Sequence, residues 1–250
     1  MFATGTAMFR KRIQAALFAC LFLCSPVFAE EHYLIAQPAP ELPTTKIQIA
    51  FLGNSLTLHG SNKSIGWDGN WGMAASSMDK DYTHITLALL GLNETEAYIR
   101  NLYPFENIVN SHKSTLSSLS DLFEIKPKII VVQLGDNTPT DGETEFLEGY
   151  KGLINISKAH SEELICLSTW WNRVSLNQKM EEICNVAGGD FIWINDIFLI
   201  QEKYNLKKIH YDNAGVNIHP HDWAMQAIAI KITNMVGDSQ KKIDSRNSNL

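Results

Sequence analysis

Only one long apolar run occurs in this chain, Ile13 to Val27, and its 15 or so residues fall short of the roughly 20 that cross a bilayer. It follows Arg10-Lys11-Arg12 and ends in Val27-Phe28-Ala29, before the acidic pair Glu30-Glu31. A charged, then apolar, then small-residue order marks a secretory signal peptide. Residues 1–29 are therefore expected to be a leader, the mature chain to be exported to the periplasm or the cell exterior, and no integral membrane span to remain in it.

Basic residues are also scarce. Without the leader the chain keeps 18 Lys and Arg against 27 Asp and Glu, a formal charge of −9, which argues against nucleic acid or anionic lipid as a partner. Two of the four cysteines, Cys20 and Cys24, lie in the leader. Cys166 and Cys184 remain, as a disulfide or as two buried thiols; their spacing does not decide. No tight His or Cys ligand spacing occurs. His219 and His221 stand at alternate positions, which point opposite ways on an extended segment, so neither a metal nor a cofactor is expected.

Proline gathers at Pro38, Pro40 and Pro43, so residues 30–45 are expected to form an extended arm. Residues 46–236 then form a single domain of ordinary size, and 237–250 a polar, frayed tail. The run Ile47-Gln48-Ile49-Ala50-Phe51-Leu52, closed by Gly53, predicts a strand buried on both faces. Apolar residues at mixed helical spacing follow from Trp71 to Leu90, with Asp79-Lys80-Asp81 on the polar side. Further strands are predicted at Lys128–Leu134, Leu164–Trp171 and Phe191–Ile194. Helices are predicted at Thr144–His160, Gln178–Ala187 and Trp223–Val236, the last capped by Asp222. Strands alternating with helices imply an α/β fold, a three-layer α/β/α sandwich around a central parallel sheet, whose site lies beyond the C-terminal strand ends.

Three segments sit where such a site would be. Gly53-Asn54-Ser55 leaves the first strand through a sharp turn that presents a serine, as a nucleophile or as a helix cap. In Gly135-Asp136-Asn137, after the next predicted strand, Asn137 offers an amide that can donate to a developing oxyanion or bond its own turn. His219, kept extended by Pro220 just before the last helix, is placed to act as a base across the strand-end crevice.

In this order the three segments resemble the SGNH or GDSL-type hydrolases, a family of esterases, lipases and polysaccharide deacetylases, over Ile47 to Ala229. The resemblance implies a flavodoxin-like sandwich with Ser55 as nucleophile, His219 as base, and an oxyanion hole made by the N–H groups of Ser55 and Gly72 and the amide of Asn137. Gly72, in Gly69-Asn70-Trp71-Gly72-Met73, is the match for the family's second glycine block. Three positions depart from the pattern. Asn54 stands where many members have Asp, Thr138 where Asp usually follows the asparagine, and Val216 where the triad acid commonly lies three residues before the histidine. The expectation is a Ser55-His219 dyad, its imidazole oriented by a backbone carbonyl or by Asp222, Asp212 or Asn217.

The implied activity is hydrolysis of short acyl esters, most simply acetyl, on a small molecule or a glycan, with Trp71 and Trp170 as substrate-binding faces. Tryptophans at this end of the sheet can stack on sugar rings or pack beneath loops. Other readings of the same residues are a lysophospholipase or thioesterase, a glycan O-acyltransferase, and a glycan-binding protein without catalysis.

Overall fold

The computed structural model describes residues 46–107 and 111–247. The predicted leader, 1–29, and arm, 30–45, lie outside the described residues.

Five strands and nine α-helices follow in chain order among the described residues, beside short 3-10 turns. They are β1 (Ile49–Gly53), α1 (Tyr82–Leu90), β2 (Ala97–Asn101), α2 (Tyr103–Asn107), α3 (Ser111–Ser117), α4 (Ser120–Ile125), β3 (Ile129–Gln133), α5 (Glu143–Ala159), β4 (Glu163–Leu167), α6 (Val174–Val186), β5 (Asp190–Ile192), α7 (Asn195–Tyr204), α8 (Ala214–Asn217) and α9 (Asp222–Asn247). The strands form one sheet in the order β2-β1-β3-β4-β5, every neighbouring pair parallel.

Alternation of side chains along the inner strands builds two separate cores. Ala50, Leu52, Ile130, Val132, Leu164 and Cys166 point to one face, where Phe146, Tyr150, Leu153 and Ile154 of α5 and Leu176 and Met180 of α6 cover them. Ile49, Phe51, Ile129, Val131, Ile165 and Leu167 point to the other, beneath Tyr82 and Leu87 of α1, Ile197 of α7 and Met225, Ile228 and Ile232 of α9. Every residue of β1, β3 and β4 is buried because helices close both faces, which is why these strands read as apolar runs, with polar residues only at Gln133 and Glu163 on strand ends. The expected three-layer sandwich is present.

The differences from the sequence reading have local causes. β2 was not foreseen: it is an edge strand, half-buried from Ile99 to Asn101, and Ala-Tyr-Ile-Arg-Asn carries no alternation strong enough to mark it. The segment after Trp71 makes a single 3-10 turn at Met78–Lys80 and becomes α-helical only at Tyr82. Asp81, expected on a polar face, is fully buried and caps α1 by accepting the His84 N–H. β4 stops at Leu167, releasing Ser168–Trp171 as a loop, and α7 fills a stretch left unassigned. Helix α9 continues past Gly237 to Asn247, where a frayed tail was expected. Cys166 of β4 and Cys184 of α6 are joined as a disulfide.

The chain adds β2 on one side of β1 and then β3, β4 and β5 on the other, so the order 2-1-3-4-5 reverses between β1 and β3. In a parallel sheet that reversal opens a crevice beyond the strand C-termini. The loops that leave β1 and β3 begin at Asn54 and Leu134.

Candidate active site

The turn after β1 depends on glycine at position 53, since a Cβ there would come within 2.9 Å of the Gln133 carbonyl oxygen on the neighbouring strand. Close approach of the two backbones lets the chain turn at once. The turn is closed by the Thr57 and Leu58 N–H groups, which both donate to the Asn54 carbonyl, and by Asn54 Oδ1, which accepts from the Leu56 N–H at 3.1 Å. Asn54 is fully buried, and Ser55 stands half-buried at the crest.

Ser55 Oγ lies 2.8 Å from His219 Nε2, a contact spanning 164 residues of sequence. The other ring nitrogen, Nδ1, lies 2.6 Å from the Gly215 carbonyl oxygen on the one-turn helix α8. A carbonyl can only accept, so Nδ1 carries the hydrogen and Nε2 is left bare to take the serine proton. The backbone around the ring is fixed as well. Trp170 Nε1 donates to the Ile218 carbonyl at 2.9 Å, and Gln201 Nε2 donates to the His219 carbonyl at 3.2 Å. Burial pushes the His219 pKa down to about 4, the Gly215 hydrogen bond opposes the shift, and the nearby imidazoles of His59 and His221 add to it.

Among the described residues no carboxylate completes a triad at Nδ1. Val216, in the family's acid position, is buried against Trp67, Met73 and Ala74. Asp222 instead accepts from the N–H and Oγ of Ser76, both at 2.8 Å, tying the loop after Trp71 to the start of α9. Asp212 is exposed, and Asn217 Oδ1 accepts the Tyr211 N–H at 3.2 Å. Of the orienting groups considered from sequence, the backbone carbonyl is the one in contact.

The oxyanion side differs from expectation at Gly72. Its N–H donates to Asp81 Oδ2 at 3.0 Å and is not available to a substrate; the Met73 N–H beside it donates to the Ser55 carbonyl at 2.9 Å. The Gly72 segment therefore braces the serine turn from behind. The Ser55 N–H has no acceptor among the described residues. Asn137 is half-buried, and its Nδ2 donates to Glu106 Oε2 at 2.7 Å. An amide nitrogen carries two hydrogens, so one remains for a ligand.

Two acids tie the segments together. Glu106, buried on α2, accepts from Asn54 Nδ2 at 3.1 Å, from Asn137 Nδ2 and from the Gly135 N–H. Asp136, half-buried, accepts from Asn54 Nδ2 at 3.0 Å, Gln133 Nε2 at 2.6 Å and the Trp170 N–H at 2.7 Å. Burial raises the Glu106 pKa to about 7, with the Asp136 charge adding to the rise and its hydrogen-bond donors opposing it. Burial also raises Asp136. Arg173 holds the same loop from outside, donating to the carbonyls of Gly135 (2.9 Å) and Thr138 (2.6 Å) and pairing with Glu143. Neither acid stood out in the sequence. Glu106 lies in an unpredicted helix, and Asp136 was passed over in favour of its neighbour Asn137.

Trp170 is fully buried, edge-on to Phe198, and supports the histidine loop, so it is not a substrate-binding surface. Its neighbour Trp171 is half-exposed and meets the His219 ring edge-to-face at 6.0 Å. Trp71 is half-buried, its Nε1 donating to the Ala75 carbonyl at 2.9 Å and its ring edge-to-face with Trp67. Among the described residues no cluster of three or more His, Cys, Asp or Glu side chains is disposed to hold a metal, and no helix is long and apolar enough to cross a membrane.

Neither a family model nor a curated protein matches the sequence. Solved structures do match. An acetylxylan esterase from Geobacillus stearothermophilus is 16% identical, with a TM-score of 0.51 over 77% of this chain and 97% of its own. A two-domain esterase active on acetylated mannans, co-crystallised with mannopentaose, is 17% identical, with a TM-score of 0.51 over 77% of this chain and 50% of its own. What they share with this chain is the parallel α/β sandwich. At such identities the likeness is one of architecture. Within that shared fold this chain brings Ser55, Asn137 and His219 to the strand ends, holds His219 Nδ1 with a backbone carbonyl, and turns the Gly72 N–H to Asp81.

Proposed function

We propose that this chain is an exported serine esterase that removes short acyl groups, acetyl in the simplest case, from a carbohydrate. The observation that carries the reading is the 2.8 Å contact between Ser55 Oγ and His219 Nε2, with Nδ1 anchored so that Nε2 is the bare nitrogen. A serine hydroxyl held against a neutral imidazole is an activated nucleophile.

In the proposed mechanism His219 takes the hydroxyl proton as Ser55 Oγ attacks the ester carbonyl. The Ser55 N–H and the free amide hydrogen of Asn137 hold the tetrahedral oxyanion, a two-donor hole without Gly72. His219 returns the proton to the departing alcohol, leaving an acyl-serine. Water, deprotonated by the same imidazole, attacks that ester, and the acid leaves as Ser55 recovers its proton.

The carbohydrate part of the reading is supported by the neighbours, esterases described as acting on acetylated xylan and mannan, and by the half-exposed Trp171 ring beside His219. An aromatic face beside a nucleophile suits the apolar side of a sugar ring. The test is acetate release from acetylated xylan and mannan set against p-nitrophenyl esters of increasing chain length. Preference for acetyl, lost in Ser55→Ala, is expected. Preference for long acyl chains would replace this reading with a lipid-directed one.

A further inference from the structure

The asparagine of the oxyanion side has to present one particular edge. An Asn side chain turned by half a rotation offers a carbonyl oxygen where a hydrogen is required, and a lone pair facing a developing oxyanion repels it. Something must therefore discriminate the amide from the carbonyl end of Asn137, and a carboxylate does so, because it only accepts. Glu106 Oε2 stands 2.7 Å from Asn137 Nδ2.

Its other oxygen, Oε1, is occupied by Asn54 Nδ2 and the Gly135 N–H, so the carboxyl cannot swing away without leaving buried donors unpaired. The three donors come from the residue before the nucleophile, from the glycine that opens the β3 loop, and from Asn137 itself. Glu106 is 4% exposed and does not reach solvent through which it could be replaced by water.

We infer that Glu106 is a positioning residue of the esterase site, its carboxylate fixing the amide of Asn137 so that the second Nδ2 hydrogen is presented to the substrate oxyanion. The inference rests on the esterase reading above. Glu106 touches neither substrate nor reacting atoms and acts through Asn137. The three donors converging on it favour the charged form and work against the burial that raises its pKa.

The deciding variant is Glu106→Gln, which keeps the shape but places an NH2 or a single oxygen where two acceptors stood. With the carbonyl end of Gln held by Asn54 and Gly135, its NH2 faces Asn137 and turns that amide round. A role in packing alone tolerates the isostere; a positioning role does not. With a short acyl ester as substrate, kcat should fall 10- to 100-fold while KM stays within about threefold, the signature of an interaction made only in the transition state. On an Asn137→Ala background the same substitution should change kcat by less than about twofold, since there is no amide left to orient. Glu106→Asp, which withdraws the carboxylate by one methylene, gives the answer if the Gln variant does not fold: kcat should drop at least fivefold at near-constant KM. Wild-type-like kcat in the folded Glu106→Gln protein, or equal losses with and without Asn137, would overturn the inference while leaving the esterase reading intact. A wild-type protein inert toward every ester would remove both, and is told apart by needing no variant at all.

Discussion

His219 Nδ1 is held at 2.6 Å by the carbonyl oxygen of Gly215, the residue immediately before Val216. The chain thus meets the need for an orienting acceptor with backbone, one position from where the family commonly places a side-chain acid. A carbonyl fixes the tautomer as well as a carboxylate does, but it brings no full negative charge to stabilise an imidazolium. The low His219 pKa follows from that difference, since burial is opposed only by a neutral hydrogen bond.

Asp222 is accordingly expected to be dispensable for chemistry. Removing the acid of a working triad costs on the order of 10⁴ in kcat. Asp222→Asn should keep kcat within about fivefold, because the carboxylate is engaged by Ser76 and not by His219. Its effect should be on stability, on the order of 1 kcal/mol for weakening its two hydrogen bonds from Ser76. Steady-state kinetics and a thermal melt of one variant check both halves.

Imidazole NMR should find the His219 pKa near 4, well under the ordinary 6.5. The sign for stability follows directly. Between those values the unfolded chain binds a proton at this site that the folded chain does not, so the stability His219 contributes is complete above 6.5 and is lost as pH falls toward about 4. A His219→Gln protein should lose less stability than wild type over that window in urea titrations at several pH values.

Asn54→Asp, which restores the residue common in the family, should damage this protein. Asn54 Nδ2 donates to both Glu106 and Asp136, at 3.1 and 3.0 Å, while Oδ1 accepts the Leu56 N–H. Only an amide supplies two donors and an acceptor there. A third carboxyl would meet two others without a hydrogen between them, at a cost of roughly 3 kcal/mol or more if it stays ionised. A fall in melting temperature of about 10 °C is the expected size for a domain of this length. An unchanged melt would mean that the carboxylates are not held as described.

Reduction of Cys166–Cys184 should lower stability without touching the site, since the bond joins β4 to α6 on the face beneath α5. A bridge with a sequence separation of 18 contributes roughly 3 kcal/mol through the unfolded chain. Urea unfolding with and without reductant measures it, and a difference below about 1 kcal/mol would be too small for this account.

The three inner strands were legible because helices cover both their faces, so β1, β3 and β4 are apolar but for Gln133 and Glu163 at strand ends. β2 was not, because an edge strand with three half-buried positions can end in Arg100 and Asn101 and look like any loop. Ser55, Asn137 and His219 were visible as residue types in a recognisable order. What orients them was legible only in part: a backbone carbonyl was among the expected partners of His219, but not which one. Gly215 contributes a carbonyl that every residue has, and Glu106 comes from a helix 31 residues before Asn137. Gly72 shows the converse: its place in the order suggested an oxyanion donor, but only the fold reveals that the buried Asp81 has claimed its N–H.

The central claim is that Ser55 is a nucleophile activated by His219. Treating the folded protein with a serine-directed alkyl phosphonate and mapping the adduct by peptide mass spectrometry tests it most directly. The account predicts one adduct, on Ser55, absent in Ser55→Ala and at least 100-fold slower to form in His219→Ala. A folded protein that leaves Ser55 unmodified, or labels it as fast without the imidazole, would contradict it.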